Sequence, residues 1–322
     1  MNKILLAAAT TAALASAAPA AFAGEAGECG EVRFGQVNWT GVSAKTETAA
    51  WLLEQIGYET DVVTASVPIM FESLADDERD AFLGLWLPTQ RSMIEERMAD
   101  GAIDIVGPNL EGAKYTVAVS QDAHDAGVTS FTELAEHRDE FDGRIYGIEA
   151  GNDGNEIIQS MIDDDAYGLG DWELVESSEA GMLSEVDRHT DRGDWIAFLG
   201  WAPHPMNVNY DMDYLHEGED YWGPDQGGAT VYTMTRTGYA WECPNVGQFL
   251  ENFEFTVEEQ SIMAGHVLND DMDYDEAGRT LAQDHPELLE RWFDQGGTFQ
   301  TGPVETADGD EALPAIREAL DL

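Results

Sequence analysis

Short apolar runs alternate with amphipathic segments along most of the chain, and the alternation predicts strands followed by helices. Residues 32–37 read as a strand. Over 44–56, Ala49, Leu52, Leu53 and Ile56 fall at helical spacing until Gly57 stops the run. Val62-Val63 opens a second extended segment, 66–74 reads as helix, and 81–84 is a short buried strand ending at Trp86. Further on, 115–119 is extended, 132–138 helical, and 144–148 a strand that leads through Gly151-Asn152-Asp153-Gly154-Asn155 into an amphipathic run at Ile157, Ile158, Met161 and Ile162. Residues 182–186 (helix), 195–199 (buried strand) and Gly200-Trp201 repeat the unit. Residues 227–234 are extended, and from Val246 onward the pattern is mostly helical. Strand and helix in alternation predict an α/β fold with a parallel sheet.

Residues 1–23 depart from this pattern. Lys3, an apolar stretch over 4–14 and small residues ending in Ala21-Phe22-Ala23 form a secretory signal peptide with a small-x-small cleavage site. No later stretch is long and apolar enough to span a bilayer, and Cys29 lies too far past Ala23 to carry a lipid at the cleavage point. The roughly 300 residues that follow exceed the usual size of one core, so two domains are expected. Ligand-bearing strand ends and the Gly-rich crossings near Glu111-Gly112-Ala113 and Gly227-Gly228 divide the chain into one lobe of 24–111 with 229–322 and an inserted lobe of 112–228. The formal net charge is −49. Such a surface excludes nucleic acid as a partner, self-repels in dilute buffer and is tolerated where salt screens it, so a salt-adapted source is implied. Lysine occurs only at Lys3, Lys45 and Lys114. The two cysteines, Cys29 and Cys243, suit a disulfide in an oxidising compartment or, alternatively, two buried thiols.

Four aromatics carry the candidate chemistry. Trp39 precedes Thr40, Trp86 lies in Gly84-Leu85-Trp86-Leu87-Pro88-Thr89, and Trp201 opens a turn in Gly200-Trp201-Ala202-Pro203-His204-Pro205-Met206. Their Gly, Pro and Thr neighbours predict indoles displayed rather than buried. With Tyr115 they offer π faces to a ligand that has a permanent positive charge and no N–H to donate. Each one alone also fits plain core packing. Gly151, Asn152 and Asp153 precede a helix, where converging N–H groups receive a carboxylate or hydroxyl, or where Asn152 or Asp153 simply caps the helix. His204 is read as part of a rigid Pro-His-Pro turn. Asp271-Met272-Asp273-Tyr274-Asp275 begins like a calcium loop, but Glu276 and Ala282 stand where Gly and Glu are needed, so no metal is expected. Hydrolase, metalloprotease and nucleotide motifs are missing, so neither a catalytic set nor a cofactor is expected.

Matches in order along nearly the whole mature chain identify a resemblance. They include Val37 with Trp39-Thr40, residues 56–62, Phe82-Leu83-Gly84 with Trp86 and Pro88-Thr89, Gly112-Ala113-Lys114-Tyr115-Thr116, Gly151-Asn152-Asp153-Gly154-Asn155, Phe198-Leu199-Gly200-Trp201 and Glu242-Cys243-Pro244-Asn245-Val246. The chain resembles the periplasmic binding proteins of quaternary-ammonium ABC importers, in particular their choline-binding branch. The resemblance implies a two-lobed, type II flytrap fold with the ligand in the cleft, a trimethylammonium box at Trp39, Trp86, Tyr115 and Trp201, and a polar contact from Asn152. It also implies a Cys29–Cys243 disulfide, a periplasmic location, and permease and ATPase subunits as partners; a monomeric receptor is expected, and with no catalytic set in the sequence, not an enzyme. In that branch an Asp that accepts the choline hydroxyl stands where this chain has Gly41, and Leu85 precedes Trp86 where Asn is usual. Replacing an anionic acceptor by Gly removes a hydrogen bond to an alcohol and a repulsion against a carboxylate, which favours glycine betaine over choline. Trimethylamine N-oxide, carnitine and dimethylsulfoniopropionate carry the same compact onium group.

Overall fold

The computed structural model describes residues 29–293 and 312–322; the signal peptide read over 1–23 lies outside them. Nine strands form one mixed sheet among the described residues. They are β1 (Glu31–Gln36), β2 (Glu59–Thr64), β3 (Ala81–Leu87), β4 (Ile103–Ser120), β5 (Arg144–Tyr146), β6 (Glu173–Val175), β7 (Ala197–Ala202), β8 (Met212–Tyr214) and β9 (Gly228–Arg236). Their order is β2-β1-β3-β9-β4-β7-β5-β6, with β8 paired to β4. The flanks are parallel, as the alternation predicts: β1 pairs with β2 and β3, and β5 with β6 and β7. The centre is antiparallel instead, because β9 returns from far along the chain to lie between β3 and β4. A parallel sheet throughout is therefore corrected to a mixed one.

The long strand β4 joins the two flanks. From Ile103 to Lys114 it pairs with β9, and from Lys114 to Val119 it pairs with β7. Register shifts between Ile105 and Gly107, Pro108 and Leu110, and Leu110 and Ala113 bend it on the way. Pro108 and Gly112 are residues that a regular central strand rejects and a bulge accepts.

Helix α1 (Thr40–Gln55) follows β1 and buries Ala44, Ala49, Leu52 and Leu53. Helix α2 (Val67–Ala75) starts with Pro68 in its first turn, where a missing N–H costs nothing, and buries Met70, Phe71 and Leu74. Helix α3 (Asp153–Asp163) and helix α4 (Glu179–Thr190) serve the β5–β7 flank, capped by the side chains of Asn152 and Ser178. Helix α5 (Pro244–Asn252), α6 (Val257–Asp270), α7 (Tyr274–Asp284) and α8 (Glu287–Phe293) confirm the helical C-terminal region. Thr256 and Glu259 close a reciprocal capping box at the start of α6.

Two apolar clusters result. One gathers Phe34, Leu52, Leu53, Phe249, Phe253 and Trp292 around α1, α5 and α8, and it holds the disulfide between Cys29 and Cys243. The other runs from Val42, Met70 and Phe82 through Trp39, Trp86, Tyr115 and Trp201 to Ile145, Met161 and Phe198. At the β1–β3–β9 junction Asp80 accepts from Arg33 and Arg236. Burial alone would raise the Asp80 carboxyl, but the two guanidinium partners hold it below its ordinary value. No described helix is long and apolar enough to cross a membrane.

Candidate ligand-binding site

The four aromatics named from the sequence converge on one cavity. Trp39 is the residue before α1, Trp86 sits near the end of β3, and Tyr115 on β4 lies directly opposite Trp201 on β7. Ring centroids are 5.6 Å apart for Trp86 and Tyr115, and 6.4 Å apart for Tyr115 and Trp201. The indoles are not displayed: Trp39, Trp86 and Trp201 are only 7–9% exposed. Gly200 and Trp201 belong to strand β7, so the turn expected there begins later. Neighbouring Gly and Pro signalled exposure, but antiparallel pairing to β4 keeps Trp201 inside the sheet.

Counted with its open mouth, the cavity takes in about 470 Å³ free of protein atoms. Its walls are the four aromatics with Gly41, Val42, Leu110, Ile148 and Pro203, and the polar residues Lys45 and Gln260. No carboxylate lines it among the described residues. Acidic groups stand one layer behind. The Trp39 Nε1–H donates to Glu149 Oε1 at 2.6 Å, which makes that ring more electron-rich toward a cation on its face. Burial, with the nearby Glu179 and Asp153 charges, lifts the Glu149 carboxyl above its ordinary value despite the Trp39 bond.

Other contacts fix the rings. Gly154 makes room for the Tyr115 phenol: a Cβ there would lie 2.3 Å from the Tyr115 hydroxyl oxygen. The Trp86 backbone N–H donates to Gln90 Oε1 at 3.0 Å, and the Gln90 amide donates to Asp153 Oδ1 at 3.1 Å. Burial pushes the Asp153 carboxyl up to about 6 against hydrogen bonds from Thr89 and Gln90. Behind Trp201, His204 lies 4.8 Å away ring to ring. The Met206 N–H donates to His204 Nδ1, which leaves the proton on Nε2, 3.3 Å from Glu179 Oε1. Glu179 also accepts from the Thr40 N–H and hydroxyl at the start of α1. A carboxylate is favoured there by the helix dipole.

Residues 30–284 match the family described as the substrate binding domain of the ABC-type glycine betaine transport system, OpuAC. The chain belongs to the OpuAC family. A solved ABC-transporter choline binding protein in complex with choline is 43% identical, with a TM-score of 0.85 over 91% of this chain and 98% of that one. Lactococcal OpuAC in its closed form with glycine betaine is 23% identical, with a TM-score of 0.73 over 82% of this chain and 99% of that one, and shows the shared two-lobed fold. The glycine betaine/carnitine transport binding protein GbuC of Listeria monocytogenes is 31% identical over 52% of each chain. As an OpuAC-family member the protein is a substrate-binding receptor of an ABC importer, not an enzyme.

Within this OpuAC domain the remaining sequence candidates take different places. Asn152 is 1% exposed and caps α3: its Oδ1 accepts from the Asn155 N–H at 2.9 Å, with the Tyr115 hydroxyl 3.4 Å away. It stands behind Tyr115 rather than in the cavity wall. Gly151, at φ +83°, lies beside Pro68, and Asp153 faces Gln90, so neither lines the cavity. Gly41 does line it. Two polar wall residues, Lys45 and Gln260, escaped the sequence reading. The signal for Lys45 was present: it is one of three lysines and sits four residues after Gly41, on the same helix face. Gln260, more than two hundred residues from Gly41, left no such signal. Among the described residues no cluster of three or more His, Cys, Asp or Glu is placed to hold a metal ion.

Proposed function

We propose that the chain is an exported receptor that holds a small quaternary ammonium solute between Trp39, Trp86, Tyr115 and Trp201 and delivers it to the permease and ATPase subunits of its importer. One observation carries this reading: three buried indoles and a phenol surround a cavity whose wall, among the described residues, offers a trimethylammonium group π faces and no carboxylate. Each cation–π contact contributes roughly 0.5–2 kcal/mol, so four faces supply several kcal/mol. The choline complex of one relative and the glycine betaine named for the family bring two ligands of this class into consideration.

In this reading residues 24–111 with 229–322 form one lobe, 112–228 form the other, and the two close on the solute. The partner change of β4 at Lys114 supports a hinge there. Three contacts suit a latch for the closed form: Trp39 to Glu149, Thr40 to Glu179, and Gln90 to Asp153. The signal peptide at 1–23 and the charge of −49 support a periplasmic, monomeric receptor in a salt-rich setting. Trimethylamine N-oxide, carnitine and dimethylsulfoniopropionate fit the same cage through their onium groups.

The test is calorimetric titration of the protein, stripped of ligand by unfolding and refolding, with glycine betaine and choline in molar salt. One site with a Kd on the order of micromolar is expected for at least one of them. Absence of heat and of any tryptophan fluorescence change with both would overturn the proposal.

A further inference from the structure

The cavity contains a charge that a pocket for a plain cation does not need. Lys45 is 2% exposed and lines the cavity one turn after Gly41 on α1. Its ammonium donates to Asn109 Oδ1 at 2.5 Å. Asn109 is itself fixed, since its amide donates to the Leu83 carbonyl and the Thr233 hydroxyl. The remaining ammonium protons have no anionic partner: no carboxylate of the described residues lies within 4.0 Å, in a chain with 64 acidic residues. A buried charge without a counter-ion is costly, and here burial lowers the amine to about 7.

A second unmet group lies on the same wall. The Gln260 amide N–H donates to the Gly41 carbonyl at 3.2 Å, while its Oε1 is buried without a partner. A Cβ at Gly41 would stand 2.9 Å from Gln260 Nε2, so the bare glycine leaves this corner to Gln260 and Lys45. The cavity wall thus carries groups of two different chemistries. The aromatic faces suit a cation, whereas Lys45 brings an ammonium and Gln260 an unpartnered acceptor.

We infer that Lys45 sets the choice among onium solutes: its ammonium pairs with the carboxylate of a zwitterion whose onium group sits in the aromatic cage, and so disfavours choline. The inference rests on the cage reading given above and adds the anionic half of the ligand. A carboxylate gives the buried ammonium its missing counter-charge. Choline would instead place a second positive charge in the same low-dielectric space. Glycine betaine and carnitine have the required form, and the hydroxyl of carnitine would also suit Gln260 Oε1.

The experiment is titration of wild type and Lys45→Met with glycine betaine, carnitine and choline at pH 6 and fixed salt. Methionine keeps most of the stem and removes the charge. For the carboxylate-bearing ligand that binds wild type, the variant should lose about 100-fold or more in affinity, while choline binding stays level or tightens. A ratio of zwitterion to choline affinity that moves less than about threefold overturns the role of Lys45 while leaving the cage intact. Failure of all three ligands to bind wild type overturns the cage reading and this inference together. The ligand-free variant should also melt no lower than wild type, because a buried unpaired charge is gone. Lys45→Gln, able to keep the bond to Asn109, provides the same comparison should Lys45→Met not fold.

Discussion

Trp201→Ala is expected to weaken binding of the onium ligand by about 100-fold. The indole forms one wall of the cavity and packs on Tyr115 and His204, so its loss removes a cation–π face and loosens the neighbouring ring. A desolvated cation–π contact of about 2 kcal/mol, with about 1 kcal/mol of lost apolar contact, corresponds to that factor. Because Trp201 is buried in β7, the same change lowers stability by roughly 3–5 kcal/mol. Affinity must therefore be measured where circular dichroism shows the variant folded. Trp201→Phe separates the two effects: it keeps a π face and should recover most of the lost affinity. Titration calorimetry on the three proteins checks this, and equal affinity for wild type and Trp201→Ala would remove the ring from the site.

Loss of the disulfide is expected to have the largest effect on stability without touching the ligand. Cys29 and Cys243 are separated by 214 residues, and both are buried in the cluster around α1 and α5, away from the cage. Closing a loop of that length removes chain entropy from the unfolded state worth about 5 kcal/mol in the simple entropic account, and measured losses run at about 2–5 kcal/mol. Cys29→Ala with Cys243→Ala should lower the unfolding free energy by that range in urea titrations at molar salt. Ligand affinity of the folded variant should stay within about twofold, since the sheet between the clusters is unchanged. A loss below about 1 kcal/mol would mean that the unfolded chain gains little from release of the loop.

The strands that bear the cage were legible because their apolar runs are short and end at recognisable breaks. Phe82-Leu83-Gly84 before Trp86 and Phe198-Leu199-Gly200 before Trp201 both fell inside observed strands. The full length of β4 was not legible: Gly107, Pro108 and Gly112 interrupt its pattern, and only the bulges show how a strand accommodates them. The antiparallel centre escaped for a different reason. Pairing of β4 with β9 joins segments distant in sequence, and no local period encodes it. The aromatics that line the cavity were named with the wrong exposure, because Gly and Pro neighbours mark turns in isolation but not beside a paired strand. The Gly151–Asn155 turn could receive a ligand or cap a helix, and the helix-cap geometry is what the structure displays at Asn152. Lys45 was missed although its rarity and its spacing from Gly41 stood in the sequence; its meaning lies in having no acidic partner, which is a property of packing.

The central claim is that the cage recognises positive charge, not just a ball of methyl groups. The most direct measurement compares glycine betaine with 3,3-dimethylbutanoate, which has the same shape and carboxylate but carbon in place of the ammonium nitrogen. Calorimetric titration of the wild-type protein in molar salt should show glycine betaine binding at least about 30-fold more tightly, the difference that about 2 kcal/mol of cation–π attraction produces. Equal affinities would contradict the account and reduce the four aromatics to an apolar box.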